Sequence, residues 1–122
     1  MFATTIRYAL TPGTDWEALR QSLVRRAFET YRFLPGLRSK ALVLLPEKGE
    51  CGANFVWETQ DDAEAFLRSE VFRRTVAQLG EPTLLERAEI CAYLEEGDLL
   101  FPALDGDVRS PPPPDASTPL GL

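Results

Sequence analysis

Histidine is absent from all 122 residues. That removes His-based general acid–base chemistry, Ser–His and Cys–His nucleophile pairs, and most zinc and haem ligation. Cysteine is nearly absent. Cys51 and Cys91 are too few for a disulfide framework and lack the spacing of a metal site. Both fall in predicted strands, where a free thiol behaves as a small buried hydrophobe; a redox or nucleophilic role is the alternative. No metal and no cofactor is therefore expected. No apolar run reaches membrane-spanning length and no charged-then-apolar leader opens the chain, which reads as cytoplasmic. There is no internal repeat. The net charge of −6 argues against nucleic acid and anionic membrane surfaces as partners. Part of that charge lies at the end, where four aspartates face one arginine from Gly97 onward, so the remainder is only mildly acidic.

What is present is one domain's worth of chain, 44% apolar and 26% charged, the balance of an ordinary soluble protein. Residues 2–10 alternate, with Thr4, Ile6, Tyr8 and Leu10 on one face and Thr5, Arg7 and Ala9 on the other, so they read as a strand. Pro12-Gly13 breaks it. Thr14 and Glu17 have capping-box spacing for a helix starting near Asp15. Trp16, Leu19, Leu23, Ala27 and Tyr31 form its apolar stripe, widened by Val24 and Phe28, and Pro35-Gly36 ends it. Residues 38–45 and 51–58 read as two strands joined by a hairpin-length loop. Thr59 or Asp61 caps a second helix with Ala63, Phe66 and Leu67 inward. That helix bends or restarts near Ser69-Glu70 and runs to Gly80. Residues 83–95 read as a fourth strand, with Ala88, Ile90, Ala92 and Leu94 alternating against Arg87, Glu89, Cys91 and Tyr93.

The order β-α-β-β-α-β builds an α+β, ferredoxin-like domain: a four-stranded antiparallel sheet with two helices on one face. It spans residues 1–96. Residues 97–122 form a tail whose four-proline run, Pro111 to Pro114, favours extended or disordered chain. A PxxP motif there is the alternative, a docking segment for a partner. Leu99, Leu100 and Phe101 are apolar enough to fold back over the domain or a partner. Alternation sets Thr4, Ile6, Tyr8, Ala41, Val43, Asn54, Val56, Ala88, Ile90 and Leu94 under the helices. It leaves Leu42, Leu44, Phe55 and Trp57 on the opposite face, beside Arg7, Lys40, Arg87, Glu89 and Tyr93. A sheet face with such large apolar groups requires cover, which a second copy supplies as a homodimer; cover by the tail or by a bound partner is the alternative. A one-residue slip would invert these faces, and Asn54 is an odd residue for the helix side.

The turn Pro35-Gly36-Leu37 with Lys40 three residues on, the strand Gly52-Ala-Asn-Phe-Val-Trp-Glu58, and Asp61-Asp62-Ala63-Glu64-Ala65-Phe66-Leu67 resemble the YdhR-like monooxygenase family. More broadly they resemble the antibiotic-biosynthesis monooxygenase superfamily, over residues 2–96. The resemblance implies a dimeric α/β barrel and a pocket in each protomer. It places Arg7, Lys40, Phe55, Trp57, Glu89, Cys91 and Tyr93 on the lining. The chemistry it implies is oxygenation, without a cofactor, of a small acidic aromatic compound such as a quinol or anthrone. Lys40 or Arg7 would stabilise the anion and Glu89 would act as base. Trp57 and Phe55 would stack on the ring, with Tyr93 and Cys91 completing the lining. Against each role stands a structural alternative: a core or interface aromatic for Trp57, and cross-strand ion pairs for Arg7, Lys40 and Glu89. Haem-degrading relatives use a histidine ligand, which this chain lacks. Two further functions stay open: small-molecule or stress-related binding without catalysis, and a partner-recruiting module built on the Pro-rich tail.

Overall fold

The computed structural model describes residues 1–101 of the chain, so the four-proline run and PxxP motif lie outside the described residues. The chain divides into a compact unit of residues 1–89 and a second that begins at Ile90. In the first unit the elements are β1 (Phe2–Ala9), α1 (Trp16–Glu29), a 3-10 turn (Tyr31–Phe33), β2 (Leu37–Leu45), a 3-10 turn (Pro46–Lys48), β3 (Glu50–Trp57), α2 (Gln60–Leu67), α3 (Glu70–Leu79) and β4 (Leu84–Glu89). The strands form one antiparallel sheet in the order β2-β3-β1-β4. The α+β architecture expected from the element order is therefore the one observed.

Local chemistry explains the boundaries. The N-cap of α1 is Asp15, whose carboxylate accepts the Ala18 N–H, while the Thr14 hydroxyl donates back to the Thr11 carbonyl at 2.6 Å. Thr59 caps α2 by accepting the Asp62 N–H at 3.1 Å, and Ser69 caps α3 by accepting the Phe72 N–H at 3.2 Å. Ser69 is the reason the helical stretch 60–79 is two helices instead of one. Gly36 sits at φ 72°, and a Cβ there would overlap the Asp62 carboxyl, which the Thr59 hydroxyl holds at 2.8 Å. The Glu58 N–H donates to the Gly36 carbonyl at 2.8 Å, so this turn ties β2 to the end of β3. Only a residue without a side chain fits there.

The core lies between the helices and one sheet face. Phe2, Ile6 and Tyr8 from β1 meet Cys51, Ala53, Phe55 and Trp57 from β3, under Ala63 and Phe66 from α2. Leu42, Leu44, Val71, Phe72 and Leu79 complete it. The Phe66 ring centroid is 5.0 Å from Phe55 and 5.2 Å from Trp57, and Phe55 stacks on Trp57 at 5.3 Å and 12°. The Trp57 indole N–H donates to the Thr4 hydroxyl at 3.0 Å, which satisfies both buried polar groups.

This arrangement corrects the expected sheet faces. Lys40 pairs with Phe55, Leu42 with Ala53 and Leu44 with Cys51, which puts all of them on the helix side with Phe2, Thr4, Ile6 and Tyr8. Glu89, paired with Phe2, shares that side. Ala41, Val43, Asn54, Val56 and Ala88 belong to the opposite face with Arg7. β2 and β3 carry apolar residues on both faces, so alternation established their two sets without saying which lies inward. The aromatic pair of β3 fills the larger space under Phe66. Asn54 is exposed and accepts from the Arg7 guanidinium at 3.1 Å, across buried Gly52. The amide that looked odd under the helices is on the other face.

The expected fourth strand is also shorter. β4 stops at Glu89; Tyr93–Glu95 (β5) instead pairs with Asp98–Leu100 (β6) as a hairpin in the second unit. Glu96 and Gly97 both have positive φ, the geometry of a tight two-residue hairpin turn. Ile90 and Leu94 are thus outside the four-stranded sheet. Cys91 is exposed in a bend, not buried in a strand, whereas Cys51 is buried as expected. Among the described residues no helix is long and apolar enough to cross a membrane.

Candidate functional site

α1 covers the sheet incompletely. Leu23 reaches the interior, but Val24 and Phe28, one step round the helix, remain 56% and 65% exposed. Between this helix face and β2 lies an open groove of about 670 Å³. Its apolar walls are Leu23, Val24, Ala27 and Phe28 from α1 against Leu37, Leu42 and Leu44 from β2. Tyr31 lines it as well. Its polar lining is basic: Arg20, Arg32, Arg38 and Lys40, with Ser39 and no carboxylate among the described lining residues. In a chain of net charge −6 that is a local reversal of sign.

The basic groups are not equivalent. Arg20 pairs with Glu17, and Arg38 with Glu58 at 3.3 Å. The Arg32 guanidinium lies over the Phe33 ring at 4.6 Å and the Phe28 ring at 5.5 Å. Lys40 differs from all three. Its Nζ stands 3.1 Å from the Tyr31 ring centroid and 4.3 Å from that of Phe55, and no carboxylate pairs with it among the described ion pairs. Loss of water around the amine, and secondly the Arg26 charge, bring its pKa down from 10.5 to about 7. Near neutral pH the amine is therefore divided between base and cation. Beneath it a small void of about 30 Å³ runs toward Tyr8, Cys51 and Arg26. Burial pushes the Tyr8 hydroxyl far above its usual range and raises the Cys51 thiol. Both stay protonated at neutral pH, so neither competes with Lys40 as a base.

Of the residues expected to form a site, the structure brings Lys40 and Phe55 together. Trp57 is on the same face but only 1% exposed, held inside the core by Thr4 and the aromatic cluster. Arg7 faces the other way. Glu89 is exposed at the end of β4, two residues from Arg87, which pairs with Glu64 at 3.0 Å. Cys91 and Tyr93 belong to the second unit.

Tyr31 and Arg26 were not singled out for chemistry. Tyr31 falls on an apolar stripe in the sequence, yet it forms one wall of the lysine's niche, and its hydroxyl lies 3.3 Å from Thr75 Oγ1. One available signal was compositional: of 13 basic residues only Lys40 and Lys48 are lysines. Arginine does not release its proton in proteins, so a lysine set in an arginine background marks a group able to do so.

No family profile matches this sequence, and no curated protein sequence matches it. Solved structures do. A protein of unknown function from Nitrosomonas europaea, NE2512, superposes with a TM-score of 0.62 at 18% identity over 75% of this chain and 90% of its own. An antibiotic biosynthesis monooxygenase superposes at 0.57 and 15% identity, over 74% of this chain and 98% of its own. A variant of SnoaB, a cofactor-independent oxygenase from Streptomyces nogalater, does so at 0.54 and 17%, over 80% and 97%. The chain has the fold of these proteins.

Proposed function

We propose that the chain is a cofactor-independent monooxygenase of the antibiotic-biosynthesis type, in its YdhR-like branch, acting on a small acidic aromatic of quinol or anthrone class. What carries the reading is the groove: apolar walls for a flat ring system, basic groups for its anion, and one amine able to exchange a proton near pH 7. The shared fold with SnoaB supports it.

In this reading the substrate's ring lies between Leu23, Val24 and Phe28 and the leucines of β2. The neutral Lys40 amine accepts the proton of the phenol, or of the carbon acid conjugated to it. A base whose pKa lies near the working pH serves this step best. The ammonium so formed pairs with the anion it has created, in surroundings of low polarity where that attraction is strong. The electron-rich anion then gives an electron to molecular oxygen, and the two radicals join in a C–O bond. The resulting peroxide takes back the proton from the Lys40 ammonium and loses water to a carbonyl, so one oxygen atom stays on the substrate and the other leaves as water. Lys40 replaces Glu89 as base here, because Glu89 is exposed.

With a quinol or anthrone the protein is expected to consume oxygen, and Lys40→Met to lower turnover by about 10²-fold or more while still binding. An oxygen electrode reads the first. Thermal shift reads the second, since ligand at about a hundred times its dissociation constant adds roughly 2.7 kcal/mol. Stabilisation of the unaltered protein with no oxygen uptake would leave a binding protein and end the oxygenase reading.

A homodimer belongs to the same proposal. The sheet face of Val43, Leu45, Val56, Ala3 and Ala88 lies opposite the core, half-buried except for the exposed Ala88, and a two-fold copy would bury it. Sedimentation should give the mass of two chains; a monomer at micromolar concentration would remove this part.

A further inference from the structure

We propose that Lys40 is an imine-forming lysine, and that the groove between α1 and β2 takes apolar aromatic aldehydes or ketones and binds them covalently at its Nζ. This rests on the preceding reading only in that a flat aromatic body enters the groove.

Geometry carries the proposal. The amine of a lysine becomes a nucleophile when it is taken out of water beside another cation and left without a carboxylate. Lys40 meets each condition: the rings of Tyr31 and Phe55 flank it, Arg26 stands near, and the groove lining is free of acidic side chains among the described residues. An arginine in this position would supply charge but no nucleophile. The wall of Leu23, Val24 and Phe28 gives the carbonyl compound's apolar end a surface to lie against.

The step balances without any oxidant. The Nζ lone pair attacks the carbonyl carbon, a C–N bond forms, and the carbonyl π pair moves to oxygen. A proton passes from nitrogen to that oxygen, giving a carbinolamine. Loss of water breaks the C–O bond and leaves the imine, with its positive charge when protonated beside the aromatic faces.

Lys48 makes the test internal. It lies exposed in the turn Pro46–Lys48, and with the N-terminal amine it completes the chain's amines. The full-length protein is incubated at pH 7 with 2-naphthaldehyde and sodium cyanoborohydride, which reduces the imine to a stable secondary amine, and the adducts are mapped by peptide mass spectrometry. The expected result is modification of Lys40 at least about tenfold faster than of Lys48, which lies exposed in its turn. Lys40→Arg, checked for an unchanged circular dichroism spectrum, should lose that adduct and keep the one on Lys48. Equal labelling of Lys40 and Lys48, or labelling of Lys48 and the N-terminus alone, overturns the proposal. Naphthaldehyde has no phenol or acidic C–H, so the outcome is separable from oxygenation. A Lys40 adduct without oxygen uptake from quinols leaves the imine and removes the oxygenase; oxygen uptake without the adduct does the reverse.

Discussion

Replacing Lys40 by Met should flatten the protein's stability between pH 7 and about 10.5. In the folded chain the amine's pKa is lowered to about 7, whereas in the unfolded chain it returns to 10.5. Between those values the unfolded state holds a proton that the folded state has released, so stability rises with pH across the window. Below about 7 both states are protonated and the contribution is constant at its least favourable. At about 1.36 kcal/mol per pKa unit the rise over the whole window is on the order of 5 kcal/mol. The groups facing Lys40 decide how cleanly it is seen. From α1 these are Arg20 and Arg26, from the turn Tyr31 and Arg32, from β2 Arg38, and beneath it Tyr8 and Cys51. Tyr8 and Cys51 have raised pKa values and so work in the opposite sense, losing stability as pH climbs past 9 to 10. The measurement is therefore a difference: urea unfolding of wild type and Lys40→Met at half-unit steps from pH 6 to 10. Parallel curves would mean that the amine keeps its ordinary pKa, and with it would go the proton transfer assigned to Lys40. Met should also raise stability at pH 6, because an apolar side chain of similar length fills the niche without a charge to desolvate.

Trp57→Ala carries the largest expected loss of stability, about 3–5 kcal/mol. The side chain is 1% exposed, stacks on Phe55, touches Phe66, and donates its N–H to Thr4. Removing it opens a cavity in the densest part of the core and leaves the Thr4 hydroxyl, also 1% exposed, without its donor. Trp57→Phe should cost less, since most of the aromatic volume remains. Urea unfolding followed by far-UV circular dichroism gives both numbers. A cost below about 1 kcal/mol for the alanine variant would show that the core does not depend on this ring, and would return Trp57 to consideration as a ligand contact.

These two residues show how far the chain could be read in one dimension. The turn residues, caps and periodicities gave the element order, because each is a local property: Gly36 closes one turn, Thr59 and Ser69 each start a helix, and period 2 in residues 2–9 reports a strand. The notion that Lys40 and Phe55 belong to one site was also legible, since alternation set both on one face, and the observed register pairs them directly. Which face was not. Trp57 and Lys40 look alike to an alternation argument whether they point at the helices or away.

What the sequence by itself determined is the α+β order of elements, the break at Ser69, the turns, and the absence of histidine chemistry. Tertiary structure alone decided that Phe55 and Trp57 turn inward to meet Phe66, that Asn54 turns outward to Arg7, and that β4 stops at Glu89. It alone set Lys40 against the rings of Tyr31 and Phe55. The physical reason is that hydrogen bonding and backbone preference act between near neighbours in the chain. Burial is a competition between whole faces, settled only when a helix has chosen the one it covers.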